Sequence, residues 1–156
     1  MVTVRPVRLP EDKPALLEFV WGLQRYEAEF EYDRRLDPAY GEDQFADLMK
    51  LDEKGVMFLA EAGGKPVGWV IVIESEAPPY VIPEERLSAQ ICELYVDEGA
   101  RGLGAGRALI EACEAWARSK GHSVIRIGHL AQNTRAAAVY EKAGYIPYTV
   151  NRRKKL

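Results

Sequence analysis

Apolar positions along the chain change period several times, and each change predicts an element. Val2–Val7 alternates with Thr3 and Arg5, which predicts a short opening strand that stops near Pro10. Asp12 is expected to N-cap a long first helix, because Leu16, Phe19, Val20, Leu23, Tyr26 and Phe30 recur at helical spacing. Phe45, Leu48 and Met49 share one face of a second helix over 41–51. Val56–Ala62 and Pro66–Glu74 read as the strands of a hairpin joined at Gly63-Gly64-Lys65, where glycine tolerates positive φ.

Ser75–Ser88 contains Pro78, Pro79 and Pro83 and is expected to leave the sheet as an irregular insertion, long enough to suggest a binding loop. Ala89–Val96 predicts a strand. Gly104–Lys120 predicts an amphipathic helix with Leu109, Ala112, Cys113 and Trp116 on one face, stopped by Gly121. Ser123–Leu130 then reads as a strand, Thr134–Ala143 as a helix ended by Gly144, and Tyr145 onward as a last strand or two. The order implies an α/β fold with mixed strand directions, in a single domain over 1–156.

Composition narrows the class. With 156 residues, 47% of them hydrophobic and 29% charged, the chain can bury a core and does not read as disordered. A net charge of −3 gives no global basic field, which argues against wrapping a nucleic acid duplex. Arg152-Arg153-Lys154-Lys155 reads as a solvated terminal strand or tail, and His122, beside Gly121 in a turn, as a surface residue. No apolar run reaches membrane-spanning length, and Met1–Pro6 lacks a signal-peptide core. Cys92 and Cys113 lie inside predicted elements without metal-ligand spacing and read as buried free thiols, which suits a cytoplasmic protein.

The chemistry concentrates at Arg101-Gly102-Leu103-Gly104-Ala105-Gly106, between the apolar strand Ile91–Val96 and the following helix. Glycines that open a helix let backbone N–H groups converge on an anion, as for a phosphate-bearing cofactor. A Walker loop is excluded, because Gly102 is followed five residues later by Arg107 with no Lys-Ser/Thr pair. A dinucleotide fingerprint is excluded as well, because its third glycine falls on Arg107. About thirty residues on, Asn133 and Tyr140 stand two helical turns apart, roughly 10 Å along one face, with small Ala136 and Ala137 between them.

Strand, R-x-x-G-x-G, helix, strand, then N-x-x-A-x-x-x-Y-x-x-x-G-aromatic over residues 91–145 resembles the GNAT superfamily of acyl-CoA N-acyltransferases. The resemblance implies a mostly antiparallel central sheet flanked by helices, with a splay between the strands at 89–96 and 123–130. It implies acetyl-CoA as acyl donor, with amides of Arg101, Gly102, Leu103, Gly104, Ala105 and Gly106 on its pyrophosphate. Main-chain groups of Leu94, Tyr95 and Val96 would pair with the pantetheine arm, Asn133 would bond the same arm, and Tyr140 would sit near the thioester sulfur. Arg135 and Lys142 could reach phosphates, or simply be surface charges. No metal is implied, and similar proteins are often homodimers.

Acetyl transfer needs a neutral amine, whereas an amine of pKa about 10.4 is almost wholly protonated at neutral pH. A base must take its proton. Glu93 lies in an apolar strand, where a carboxylate is either partnered structurally or raised in pKa for that task. His129 is a second candidate. Tyr140 is suited to donate to the leaving thiolate. Glu27, Glu29, Glu31, Asp33, Glu42 and Asp43, interleaved with Tyr26, Phe30, Tyr32 and Tyr40, read either as a solvated helix end or as walls for a cationic acceptor. Such an acceptor could be a polyamine, an aminoglycoside, or a lysine or N-terminal amine. The expected function is therefore acetyl transfer from acetyl-CoA to a primary amine of a cationic small molecule. A protein or peptide amine acetyltransferase and a non-catalytic acyl-CoA sensor are the alternatives.

Overall fold

The computed structural model describes residues 1–156. Its elements in order are β1 (Val2–Pro6), α1 (Lys13–Glu27), α2 (Tyr40–Leu48), β2 (Gly55–Ala62), β3 (Lys65–Glu76), the one-turn α3 (Pro83–Arg86), β4 (Leu87–Val96), α4 (Ala105–Ser119), β5 (Ile125–Ile127) and α5 (Thr134–Lys142). The five strands form one sheet in chain order, antiparallel throughout except for the parallel pair β4–β5.

Strand alternation sends side chains to two cores, one on each face of the sheet. Ala60, Val70, Val72, Ala89 and Ile91 meet Ala105, Leu109, Cys113 and Ala117 of α4 on one face. Met57, Leu59, Trp69 and Ile71 meet Leu16, Phe19 and Val20 of α1 and Leu48 of α2 on the other. Asp12 does occupy the N-cap position of α1, but its carboxylate makes no cap bond. It accepts instead from Arg5 at 2.7 and 2.9 Å and from the Arg8 N–H, and the Arg5 guanidinium holds its pKa below the usual carboxylate range.

Four expectations are corrected. The proline-rich insertion is shorter than 75–88, because prolines forbid pairing only where they stand. Ser75 and Glu76 still pair with Ser88 and Leu87, the Ala77 N–H reaches the Arg86 carbonyl, and Pro83 starts a single helical turn. No residue of 77–88 lines the large cleft described below, so this loop is not its wall. The segment after Gly144 forms no strand. Pro147 lacks a donor, Ile146, Tyr148 and Val150 are exposed, and charge holds the segment, with Arg153 on Asp33 at 3.0 Å and over the Tyr32 ring. His122 is not on the surface: its side chain is 5% exposed, lies 2.9 Å from Glu74 Oε2, and packs near Trp116. Both cysteines are free, but only Cys113 is buried; Cys92 is exposed.

Candidate active site

β4 is where the fold turns into a site. Opposite residues of antiparallel strands share a face, and Val72 pairs with Ile91 while Ile71 pairs with Glu93. Two steps on β4 therefore answer one step on β3, a β-bulge at Cys92. Without it Glu93 would follow Ala89 and Ile91 into the α4 core, since a one-residue shift reverses every facing. With it Glu93 lies on the face that carries α1 and α2, opposite Ile71. There it is half-buried and accepts a 2.8 Å hydrogen bond from Gln44 Nε2 of α2. Burial, reinforced by the negative charge of Glu27, pushes its pKa up to about 7 against the pull of Arg34.

The splay lies beside it. β5 pairs with β4 only over Ala89–Ile91, so the β5-facing edge of β4 from Cys92 to Val96 has no strand alongside. A cleft of about 930 Å³ opens there, bounded by the ends of α1, β4 and α5 and by the start of α4. The glycine loop closes its far end. Gly102 and Gly104 have φ of +82° and +88°, a region that L side chains rarely enter, and a Cβ on either would meet nothing within 4 Å. The N–H groups of Gly102, Gly104, Ala105, Gly106 and Arg107 donate to no backbone carbonyl. A concave row of free donors at a helix N-terminus fits a pyrophosphate, and the open strand edge fits an arm that carries amides.

α5 supplies the opposite wall. Asn133 is its N-cap: Oδ1 accepts from the Ala136 N–H at 3.1 Å and from the Tyr26 hydroxyl of α1 at 3.3 Å. This fixes the amide orientation and leaves the Nδ2 hydrogens for a ligand. Arg101 lies over the Tyr26 ring at 5.2 Å, so loop, α1 and α5 meet at this point. Tyr140 faces the same cleft, half-buried, with the His129 ring 5.9 Å away. Burial and the charge of Glu27 push its phenol up to about 12, so it keeps its proton at neutral pH. His129 is exposed, and its Nδ1 lies 2.9 Å from the Leu130 carbonyl oxygen.

The cleft therefore gathers Glu93, Leu94, Tyr95, Val96, Arg101, Gly102, Gly104, Ala105, Gly106, Asn133 and Tyr140, together with His129, Arg135 and Lys142. Leu103 is left out; its side chain points to solvent, 59% exposed. In and beside the cleft stand residues that the sequence did not mark as part of a site. Gln44 holds Glu93, Arg34 bridges Glu27 at 2.7 Å and Glu31 at 2.6 Å, and Cys92 stands beside Glu93 on the bulge.

The family model described as Acetyltransferase (GNAT) family matches residues 19–145, which takes in the bulge, the loop and α5. The chain belongs to the GNAT acetyltransferase family. It is 35% identical over 98 residues to an uncharacterized N-acetyltransferase of Methanocaldococcus jannaschii, covering 63% of this chain and 42% of that protein. It is 36% identical over 67 residues to a mycothiol acetyltransferase of Beutenbergia cavernae, covering 43% of this chain and 23% of that one. The chain thus spans less than half the length of these curated relatives. A crystal structure of a mutant BH1408 protein from Bacillus halodurans superposes with a TM-score of 0.83 over 99% of both chains; at 19% identity this likeness concerns the fold. No helix of this GNAT family member is long and apolar enough to cross a membrane.

Proposed function

We propose that this protein transfers an acetyl group from acetyl-CoA to a primary amine on a cationic small molecule. The observation that carries the reading is Glu93, turned by the bulge out of the core and into the splayed cleft with a pKa near 7. A carboxylate so poised is half ionised at neutral pH and strong enough as a base to take a proton from an ammonium, directly or through one water. Bound acetyl-CoA supplies the thioester carbonyl that the freed amine attacks. Tyr140, protonated across the working range, donates a hydrogen bond where negative charge collects on the departing sulfur. The loop amides, the free edge of β4 and Asn133 Nδ2 orient the donor, and the mycothiol acetyltransferase relative supports acyl transfer as the reaction class.

A panel of primary amines assayed for thiol release from acetyl-CoA tests this directly. Turnover with at least one amine is expected. An acyl-CoA sensor would bind acetyl-CoA by calorimetry yet release no thiol with any amine, and that result would replace the transferase reading.

A further inference from the structure

The acidic side chains from Glu31 to Asp43, none of which lines the cleft, are already taken by the protein's own cations. Glu31 is bound by Arg34 at 2.6 Å and lies 3.7 Å from Arg153, and Asp33 pairs with Arg153 at 3.0 Å. Asp37 and Asp43 share Arg35 at 2.8 and 2.9 Å, while Glu42 reaches Lys13 at 3.2 Å. Each of these carboxylates already has a cationic partner, so none of them is free to hold a polycation. Within the cleft the balance differs. Two half-buried carboxylates, Glu27 and Glu93, line it; Glu93 is held by the neutral Gln44, and Arg34, which pairs with Glu27, divides its charge between Glu27 and Glu31. Leu23, Tyr26 and Tyr40 supply apolar and aromatic surface beside them.

We propose that Glu27 and Glu93 together seat one ammonium group, so that the acceptor carries a single amine on an otherwise uncharged body. This rests on the transferase reading and narrows it: Glu27 anchors the ammonium and Glu93 removes its proton. The anchor is rigid because Arg34 holds Glu27 Oε2 at 2.7 Å and is itself fixed by Glu31 and by Gln24 Oε1 at 3.3 Å. The charge of Glu27 is felt by Glu93, Tyr140 and Tyr40 alike, as expected of a group at the centre of the cleft. The groups acting on Glu93 are Glu27 from α1, Arg34 from the loop after it, Gln44 and Asp47 from α2, and Tyr40 and Cys92, whose own pKa values Glu93 raises. Of these, Glu27 contributes the largest charge effect, and it strengthens Glu93 as a base.

Steady-state kinetics with phenethylamine, spermidine and kanamycin test the proposal. Phenethylamine should have the highest kcat/KM, by about tenfold or more, with a KM that hardly changes between low and high salt, because a partly buried contact is poorly screened. Glu27→Gln should raise the KM for phenethylamine about tenfold or more, the scale of one charge-assisted hydrogen bond. It should leave acetyl-CoA affinity by calorimetry unchanged and move the acid limb of kcat/KM to lower pH. Glu27→Asp keeps the charge and should bring that limb back up, which a packing defect would not do. A preference for spermidine or kanamycin with strongly salt-dependent KM would overturn the proposal while leaving the transferase reading intact. So would a Glu27→Gln variant with unchanged KM and acid limb. Absence of turnover with every amine, with acetyl-CoA still bound, would remove both.

Discussion

Glu93→Gln distinguishes two ways for an amine to become nucleophilic. With Glu93 near pH 7 as its midpoint, kcat/KM for an ammonium-bearing acceptor should rise with pH to a plateau above 7. Two pH units below that midpoint only about 1% of the base is ionised, so the rate at pH 5 should be roughly a hundredfold below the plateau. A second limb should follow near pH 10, where an acceptor of pKa about 10.4 loses its own proton in solution. Glutamine keeps the shape and the Gln44 contact but accepts no proton, so the variant must wait for amine that is already neutral. At pH 7 that is about 0.04% of such an amine, and the fraction grows about tenfold per unit. The defect should therefore be deepest at and below pH 7, where both rates fall together, and shrink by about tenfold for each unit on the wild-type plateau up to about pH 10. Thiol release from acetyl-CoA, followed from pH 5 to 10 in wild type and variant, measures both profiles. A defect of constant size across that range, or an acid limb that stays near pH 7 in the variant, would refute Glu93 as the base.

Tyr140→Phe keeps the ring and removes the donor; kcat should fall about ten- to a thousandfold while acetyl-CoA affinity by calorimetry holds, and full turnover would reduce Tyr140 to packing. Gly106→Ala separates stability from binding. Its Cβ would meet only Val96 Cγ2 at 3.8 Å, so folding stability should rise by the helix preference for alanine, up to about 1 kcal/mol and read as a higher Tm, while acetyl-CoA affinity falls as the cradle fills. Unchanged affinity would refute the loop assignment. Glu93→Gln should also stabilise the fold. The folded pKa lies above the ordinary carboxylate value of about 4.3, so the stability linked to protonated Glu93 is whole below that pH and lost as pH rises through about 7. The variant's Tm advantage should accordingly be absent at pH 4 and complete by pH 8, as read by calorimetric scans. Leu59→Ala, in the fully buried core beneath α1, should cost about 2–5 kcal/mol without shifting either pH limb.

What could be read from the sequence was local. The glycine loop and the Asn133–Tyr140 face are set by spacing within one turn or one helix, and the structure has both facing the cleft. The facing of Glu93 is not local. Simple alternation from Ile91 points it into the α4 core, and only the register with β3 reveals the bulge that reverses it. Gln44 and Arg34 are single polar residues without periodicity, so nothing marks them until the chain folds them against Glu93 and Glu27. The acidic run from Glu27 to Asp33 is visible as charge, but its pairing with Arg34 and with the distant Arg153 is not. Alternating Ile146, Tyr148 and Val150 promise a strand, yet a strand needs a neighbour, and none pairs with this segment.

The divergence of β4 from β5 leaves a row of backbone groups open in the interior of a sheet, where most proteins hide such edges with bulges, charges or covering helices. An edge of this kind accepts any extended chain, including a second copy of the protein or an unfolded neighbour. A ligand that lies along it acts as a stopper. By mass action such a ligand adds about 2.7 kcal/mol of folding stability at a hundredfold excess over its Kd. If the proposed donor lies in this groove, the same edge that would admit it is the one open to misassembly, and the protein's durability in a cell would be tied to the supply of that molecule.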